Sequence, residues 1–235
     1  MIGIFVNALC TLLGGIFGTL LSKKISHSFF EKLNNVFGIC SIGMGVWSVA
    51  LMKNMTPVIF SLIFGSAIGS IFSLEKRFSE GGRILQKPLS KFSKKSEDDS
   101  LLVTTLVLFC ASATGIYGCL DAGMSGNCSI LLSKSVLDFF TAIIFACSLG
   151  AVVSAVACVQ IAVFIPLFFL ARLIVPLTNE SMILDFKACG GFILIATGFR
   201  IAKIREFSIA DMIPSMIFVM PCSYLWTHFI EPLLV

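Results

Sequence analysis

The chain has 235 residues, of which 57% are hydrophobic and 13% charged, and its formal net charge is +4. Soluble domains run to about 45–50% apolar and about 25% charged. This composition, with a mean hydropathy of +1.00, excludes a soluble globular domain, a disordered tail and a coiled coil. A membrane-spanning helix needs about 20 apolar residues, so the length accommodates roughly eight.

Residues 2–22 read as the first span. Lys23 and Lys24 follow the apolar run, whereas a secretory signal carries its charge before it, so the segment is expected to stay uncleaved. Spans two and three are expected over 35–52 and 56–74, joined by a tight turn at Lys53–Met55. A basic polar segment, 75–100, separates them from a fourth span over 101–120, and a glycine-rich connector fills 121–135. Residues 136–177 contain no polar loop. As one helix they would run to about 63 Å, twice the hydrocarbon core. They are therefore expected to fold back near Ser148–Gly150 into spans over 136–150 and 152–175. The last two spans are placed at 188–202 and 212–234. Continuous apolar runs lack the alternation of barrel strands. The expected fold is all-α, a polytopic helical membrane protein forming a single integral domain over 1–235.

Loop charges set an orientation. With eight spans, alternate loops hold 13 of the 17 Lys and Arg residues, seven of them in 75–100, and the remaining loops hold four. The positive-inside rule then puts both termini outside and 75–100 in the cytoplasm. Within that segment Arg83–Lys95 mixes basic and apolar residues and is expected to lie on anionic lipid, although Pro88 argues against one long helix.

Spans one to three and six to eight resemble one another weakly. At an offset of 153, Asn7 meets Gln160, Gly38 meets Gly191, Ile42 meets Ile195 and Gly45 meets Gly198; Pro57 meets Pro214 if the preceding loop is four residues longer. Five crossings separate spans one and six, so such repeats would be inverted, a recurrent design of secondary transporters. Gly14-x-x-x-Gly18 and Gly65-x-x-x-Gly69 offer small-residue faces for close helix contact, either within the chain or in a homo-oligomer.

Polar groups inside spans face bundle interiors. Asn7 and Gln160 read either as amides lining a polar path or as interhelical hydrogen bonds. Lys134 and Asp138 stand one helical turn apart on one face. The connector, flanked by Asp121, could be re-entrant, presenting Ser125, Asn127 and Ser129 to that pair; the plainer reading is an outer loop with a snorkelling Lys134. Glu75 is expected at the interface, Asp185 and Lys187 at the mouth of span seven. The nine cysteines form no C-x-x-C pair, and only Cys119 and Cys128 flank one short loop. No P-loop, H-E-x-x-H or dinucleotide fingerprint occurs, and His27 and His228 lie far apart. Neither an enzyme nor a metal, cofactor or nucleic-acid partner is expected.

Four stretches carry a family resemblance. They are Met1–Ala8, the run Ser125-Gly126-Asn127-Cys128-Ser129-Ile130-Leu131-Leu132-Ser133-Lys134-Ser135-Val136-Leu137-Asp138, and Gly190–Gly198 with Ala210–Pro214, where Asp211 replaces a frequent Asn. The chain resembles the YqgA/YdfK-like bacterial integral membrane proteins, domain of unknown function 554. The resemblance implies a multi-pass protein of the bacterial plasma membrane and no particular activity. The residues themselves point first to a small-solute or ion transporter or channel with a polar site among Asn7, Asp121, Ser125, Asn127, Ser129, Lys134, Asp138 and Gln160. The alternative is a non-transporting scaffold or regulatory protein acting through 75–100.

Overall fold

The computed structural model describes residues 1–21, 27–78, 80, 99–110 and 112–234, and among them every regular element is helical. The elements are α1 (Ile2–Leu21), α2 (His27–Val49), α3 (Met55–Ile71), α4 (Asp99–Cys110), α5 (Ala113–Ser125), α6 (Ser129–Leu149), α7 (Val152–Ile174), α8 (Glu180–Ile201), α9 (Ile209–Met212) and α10 (Pro214–Leu225). Five stretches are long and apolar enough to cross a membrane: Ile2–Leu21, Ser129–Leu149, Val152–Leu177, Glu180–Ile201 and Ile209–Leu233. Asn35–Val49 and Met55–Ile71 are shorter apolar helices. Outward faces carry large apolar side chains such as Phe5, Leu9, Ile16, Phe17 and Leu20 on α1, the surface that lipid rather than water solvates.

Two boundaries depart from the sequence reading. The stretch expected to form span four, 101–120, is two helices, α4 and α5, with Ser112 extended between them. Ser112 restarts the chain as the N-cap of α5, its side chain accepting from the Gly115 amide at 3.3 Å. Span seven begins eight residues earlier than expected, because Asn179 caps α8 by accepting from the Met182 amide at 2.9 Å. The fold-back near Ser148–Gly150 is present: α6 ends at Leu149 and Gly150 takes φ 74°, a left-handed backbone that glycine adopts without steric cost. Lys23 and Lys24, and the Arg83–Lys95 stretch assigned to anionic lipid, lie outside the described residues.

The helices gather into two compact units. Unit 1 comprises Met1–Leu33 and Lys76–Arg172; unit 2 comprises Asn34–Glu75 and Leu173–Val235. In unit 1, α1 runs parallel to α6, with Gly14 against Phe139 and Ala142 and Gly18 against Ile143 and Ala146. A Cβ at either glycine would fall on the carbonyl oxygen of Phe139 or Ile143. α7 crosses α1 antiparallel: Gly15 faces Ser154, and Ser154 Oγ donates to the Leu12 carbonyl at 3.3 Å. Leu102, Leu106, Phe109, Ala142, Ala146 and Val156 close α4, α6 and α7 together.

In unit 2, α2 and α8 are antiparallel and meet backbone to backbone. A Cβ on Gly38 would lie 2.7 Å from the Gly198 carbonyl oxygen, and one on Gly45 would lie 2.6 Å from that of Gly191. Ser41 Oγ donates to the Leu194 carbonyl at 2.9 Å across 153 residues. Gly38 and Gly191, and Gly45 and Gly198, stand the same distance apart in sequence. The offset that relates the two stretches therefore also relates their contacts, as a local two-fold requires. α3 and α10 pair likewise, with Gly65 against Ser215 and Gly69 against the Asp211 backbone. They open on matching sequences, Asn54-Met55-Thr56-Pro57 and Asp211-Met212-Ile213-Pro214. Both Gly-x-x-x-Gly faces are thus covered by the chain's own helices. Glu75 does more than anchor at an interface. Its carboxylate accepts from Arg200 and from the Ala210 amide at 2.8 Å, while its own amide donates to Asp211 Oδ1 at 2.9 Å.

Backbone cannot yield as a side-chain tip can, so Gly45→Ala should cost about 1–3 kcal/mol. Gly43, two residues away, has nothing within 4 Å of a built Cβ, and Gly43→Ala should be neutral or stabilise by about 1 kcal/mol or less. Thermal unfolding of the two variants in detergent checks the contrast.

Candidate functional site

Unit 1 encloses a charged pair in its apolar interior. Lys134 is 3% exposed, Asp138 7%, and Asn7 and Gln160 are fully buried. One turn of α6 separates Lys134 from Asp138, so their side chains reach each other along one face. Lys134 Nζ donates to both carboxylate oxygens, at 2.7 and 2.6 Å. From α1, Asn7 Nδ2 donates to Asp138 Oδ2 at 2.8 Å. From α7, Gln160 Nε2 sits among three acceptors: Asp138 Oδ2 at 3.0 Å, Asn7 Oδ1 at 3.2 Å and the Phe109 carbonyl at 3.2 Å. Asn7 and Gln160, paired by the 153 offset, therefore touch each other.

The Phe109 carbonyl places the cluster at the interruption between α4 and α5. A helix leaves its last four carbonyls without intrahelical partners, and one of these is what Gln160 satisfies. On the other side of the break, Gly115 leaves room for the Lys134 stem; a Cβ there would lie 3.0 Å from Lys134 Cε. The ammonium stands 5.8 Å from the Phe109 ring centroid, within reach of its negative π face. α4 and α5 have 12 and 13 residues, so each rises about 18–20 Å, which sets the cluster near the middle of that pair. Two fully buried oxygens, Gln160 Oε1 and Thr11 Oγ1, have no hydrogen-bond partner among the described residues. Thr11 lies one turn beyond Asn7 on α1.

Of the eight residues anticipated, the structure joins Asn7, Lys134, Asp138 and Gln160. The other four make local bonds. Ser125 Oγ donates to Asp121 Oδ1 at 2.7 Å, and Asn127 Oδ1 accepts from the Ser129 amide at 2.9 Å and from its hydroxyl at 2.6 Å. The connector is not a re-entrant element presenting these side chains to Asp138. α5 continues to Ser125, Gly126 closes it at φ 73°, and Asn127 holds the first turn of α6. The physical reason is capping: Asn and Ser satisfy the amides of the adjoining helix end. Cys119 and Cys128 are both free thiols, as are the other seven cysteines.

A further buried carboxylate escaped the sequence reading. Asp185 in unit 2 is fully buried rather than at a helix mouth. Its oxygens accept from the Lys53 amide at 3.0 Å, the Asn54 amide at 2.8 Å, Asn54 Nδ2 at 3.1 Å and Ser223 Oγ at 2.7 Å. It ties the α2–α3 turn to α8 and α10. The signal was Asn179-Glu180, a helix-start pair that moves Asp185 inward by a turn and a half.

Apolar helices of this length, closed around an internal charged cluster, define an integral membrane protein of the polytopic helical class. The chain belongs to the family described as "Protein of unknown function (DUF554)", whose model matches residues 2–224. It is similar to "Uncharacterized protein YqgA" of Escherichia coli (strain K12), with 41% identity over 97% of this chain and 98% of the relative. It is also similar to "Uncharacterized membrane protein YdfK" of Bacillus subtilis (strain 168), with 27% identity over 92% of this chain and 93% of the relative. No solved structure matches the chain significantly.

Removing one partner of a buried ion pair leaves the other uncompensated, at about 3–5 kcal/mol. Asp138→Leu should therefore destabilise the protein far more than the double variant Lys134→Met with Asp138→Leu. Unfolding of both single variants and the double variant in detergent measures the coupling. Asp185→Ala strands four donors and should cost at least about 2 kcal/mol, with Asp185→Asn intermediate in the same assay.

Proposed function

We propose that the protein moves a small solute or ion across the bacterial plasma membrane through the buried cluster of unit 1. The observation that carries this reading is the meeting of Asn7, Lys134, Asp138 and Gln160, from three helices, at the interruption between α4 and α5. Ionisable groups inside spans are costly, about 2.5–3.5 kcal/mol each on insertion scales, and mark substrate or ion pathways. Discontinuous helices with freed backbone groups recur at transporter sites, as do inverted repeats. The local two-fold contacts at Asn7–Gln160 and Ser41–Leu194 support such a repeat. Parity supports eight crossings: α1 lies parallel to α6 and antiparallel to α7, as three and four intervening spans demand. Both termini then lie outside and 75–100 faces the cytoplasm. The scaffold alternative rests on 75–100, most of which lies outside the described residues.

Flux in vesicles tests the proposal. Purified protein reconstituted into liposomes should carry at least one member of a panel of inorganic ions, amino acids and small carboxylates above protein-free vesicles. Asp138→Asn should abolish that flux, while Gly43→Ala should leave it unchanged. Absence of flux across the panel overturns the reading. A carboxy-terminal alkaline phosphatase fusion should be active in cells, and inactivity overturns the orientation.

A further inference from the structure

We infer that the cluster is a site for a monovalent hard cation of sodium size, with the Lys134 ammonium as a tethered occupant that the cation replaces. This rests on the transport reading for its purpose but on separate observations for its chemistry.

The unfilled capacity of the site consists of oxygen. Gln160 Oε1 can only accept, is fully buried and has no partner among the described residues. Thr11 Oγ1, equally buried and equally unpartnered, stands one turn along α1 from Asn7. Among the described residues, Asp138 Oδ1 receives only the Lys134 ammonium, whereas Oδ2 already receives three donors. Asn7 Oδ1 and the Phe109 carbonyl are further oxygens beside that side chain, each now accepting from Gln160 Nε2. Hard cations take such ligands. An anion would meet one ammonium against a carboxylate and an orphaned carbonyl. A divalent ion is poorly matched as well: one carboxylate is present, and no cluster of three or more His, Cys, Asp or Glu side chains occurs among the described residues.

Lys134 bridges both oxygens of Asp138, the position a bound cation would take. Its stem lies against Gly115, and in the same arrangement its ammonium stands 5.8 Å from the Phe109 ring centroid. The metal ion would compensate Asp138, and the displaced ammonium would keep the π face of Phe109 as its partner. Such an internal competitor lowers apparent affinity by the fraction of time that the carboxylate is occupied.

The test is binding, measured apart from flux. Thermal unfolding and radioactive sodium binding are followed in detergent at constant ionic strength in sodium, potassium or choline chloride. Lys134→Gln should gain sodium-specific stabilisation, with affinity about tenfold or more above wild type. A Lys134→Gln protein that folds and melts alike in all three salts overturns the inference. Thr11→Val supplies an arm that does not depend on that variant folding. It removes an unsatisfied hydroxyl, so the protein should be at least as stable in choline, yet bind sodium more weakly than wild type. Unchanged sodium binding in Thr11→Val, or no saturable sodium binding by wild type, likewise overturns it. Sodium binding without flux would sink the transport reading and leave the site standing; solute flux without sodium binding would do the reverse.

Discussion

A charge in hydrocarbon must be compensated by the protein itself, and that requirement organises unit 1. Water is not available to solvate Lys134 or Asp138 there, so each supplies the other's counter-charge. The pair does not satisfy itself completely. Asp138 Oδ2 gathers two further amide donors, and those amides must come from other helices. Asn7 brings α1, Gln160 brings α7, and the Phe109 carbonyl brings the end of α4. The cluster thereby fixes the register of four helices that apolar packing alone would leave free to slide, because lipid and leucine are equally good solvents for one another.

Close backbone contact performs the complementary task. In unit 1, Gly14, Gly15 and Gly18 bring α1 within touching distance of α6 and α7. In unit 2, the glycines of α2 and α8 do the same on a two-fold pattern, and Asp185 locks the adjoining turn through four neutral donors. The two units use different polar solutions. Unit 1 compensates a charge with a charge, and unit 2 spreads one over backbone amides, a side-chain amide and a hydroxyl.

Much of the architecture was legible because lipid imposes long apolar runs, and the hairpin at Gly150 followed from length alone. The convergence of Asn7 with Gln160 could be anticipated from their matching positions, and that of Lys134 with Asp138 from helical spacing. The interruption of span four could not, since Cys110 to Ala113 is as apolar as its surroundings and only Ser112 hints at a cap. The connector misled for a related reason. Ser125, Asn127 and Ser129 are equally suited to lining a cavity and to capping helices, and composition does not say which. Nothing in the composition marks the grouping of helices into two units: α1 packs with α7 in one, and α2 and α3 with α8 and α10 in the other.

Asn7 and Gln160 occupy corresponding places and clasp each other, yet they are not the same residue. The glutamine is longer by one methylene and reaches the carbonyl of Phe109 as well as Asp138, while the asparagine stops at its neighbours. A single carbon atom lets one of the two amides span from the carboxylate to the end of α4.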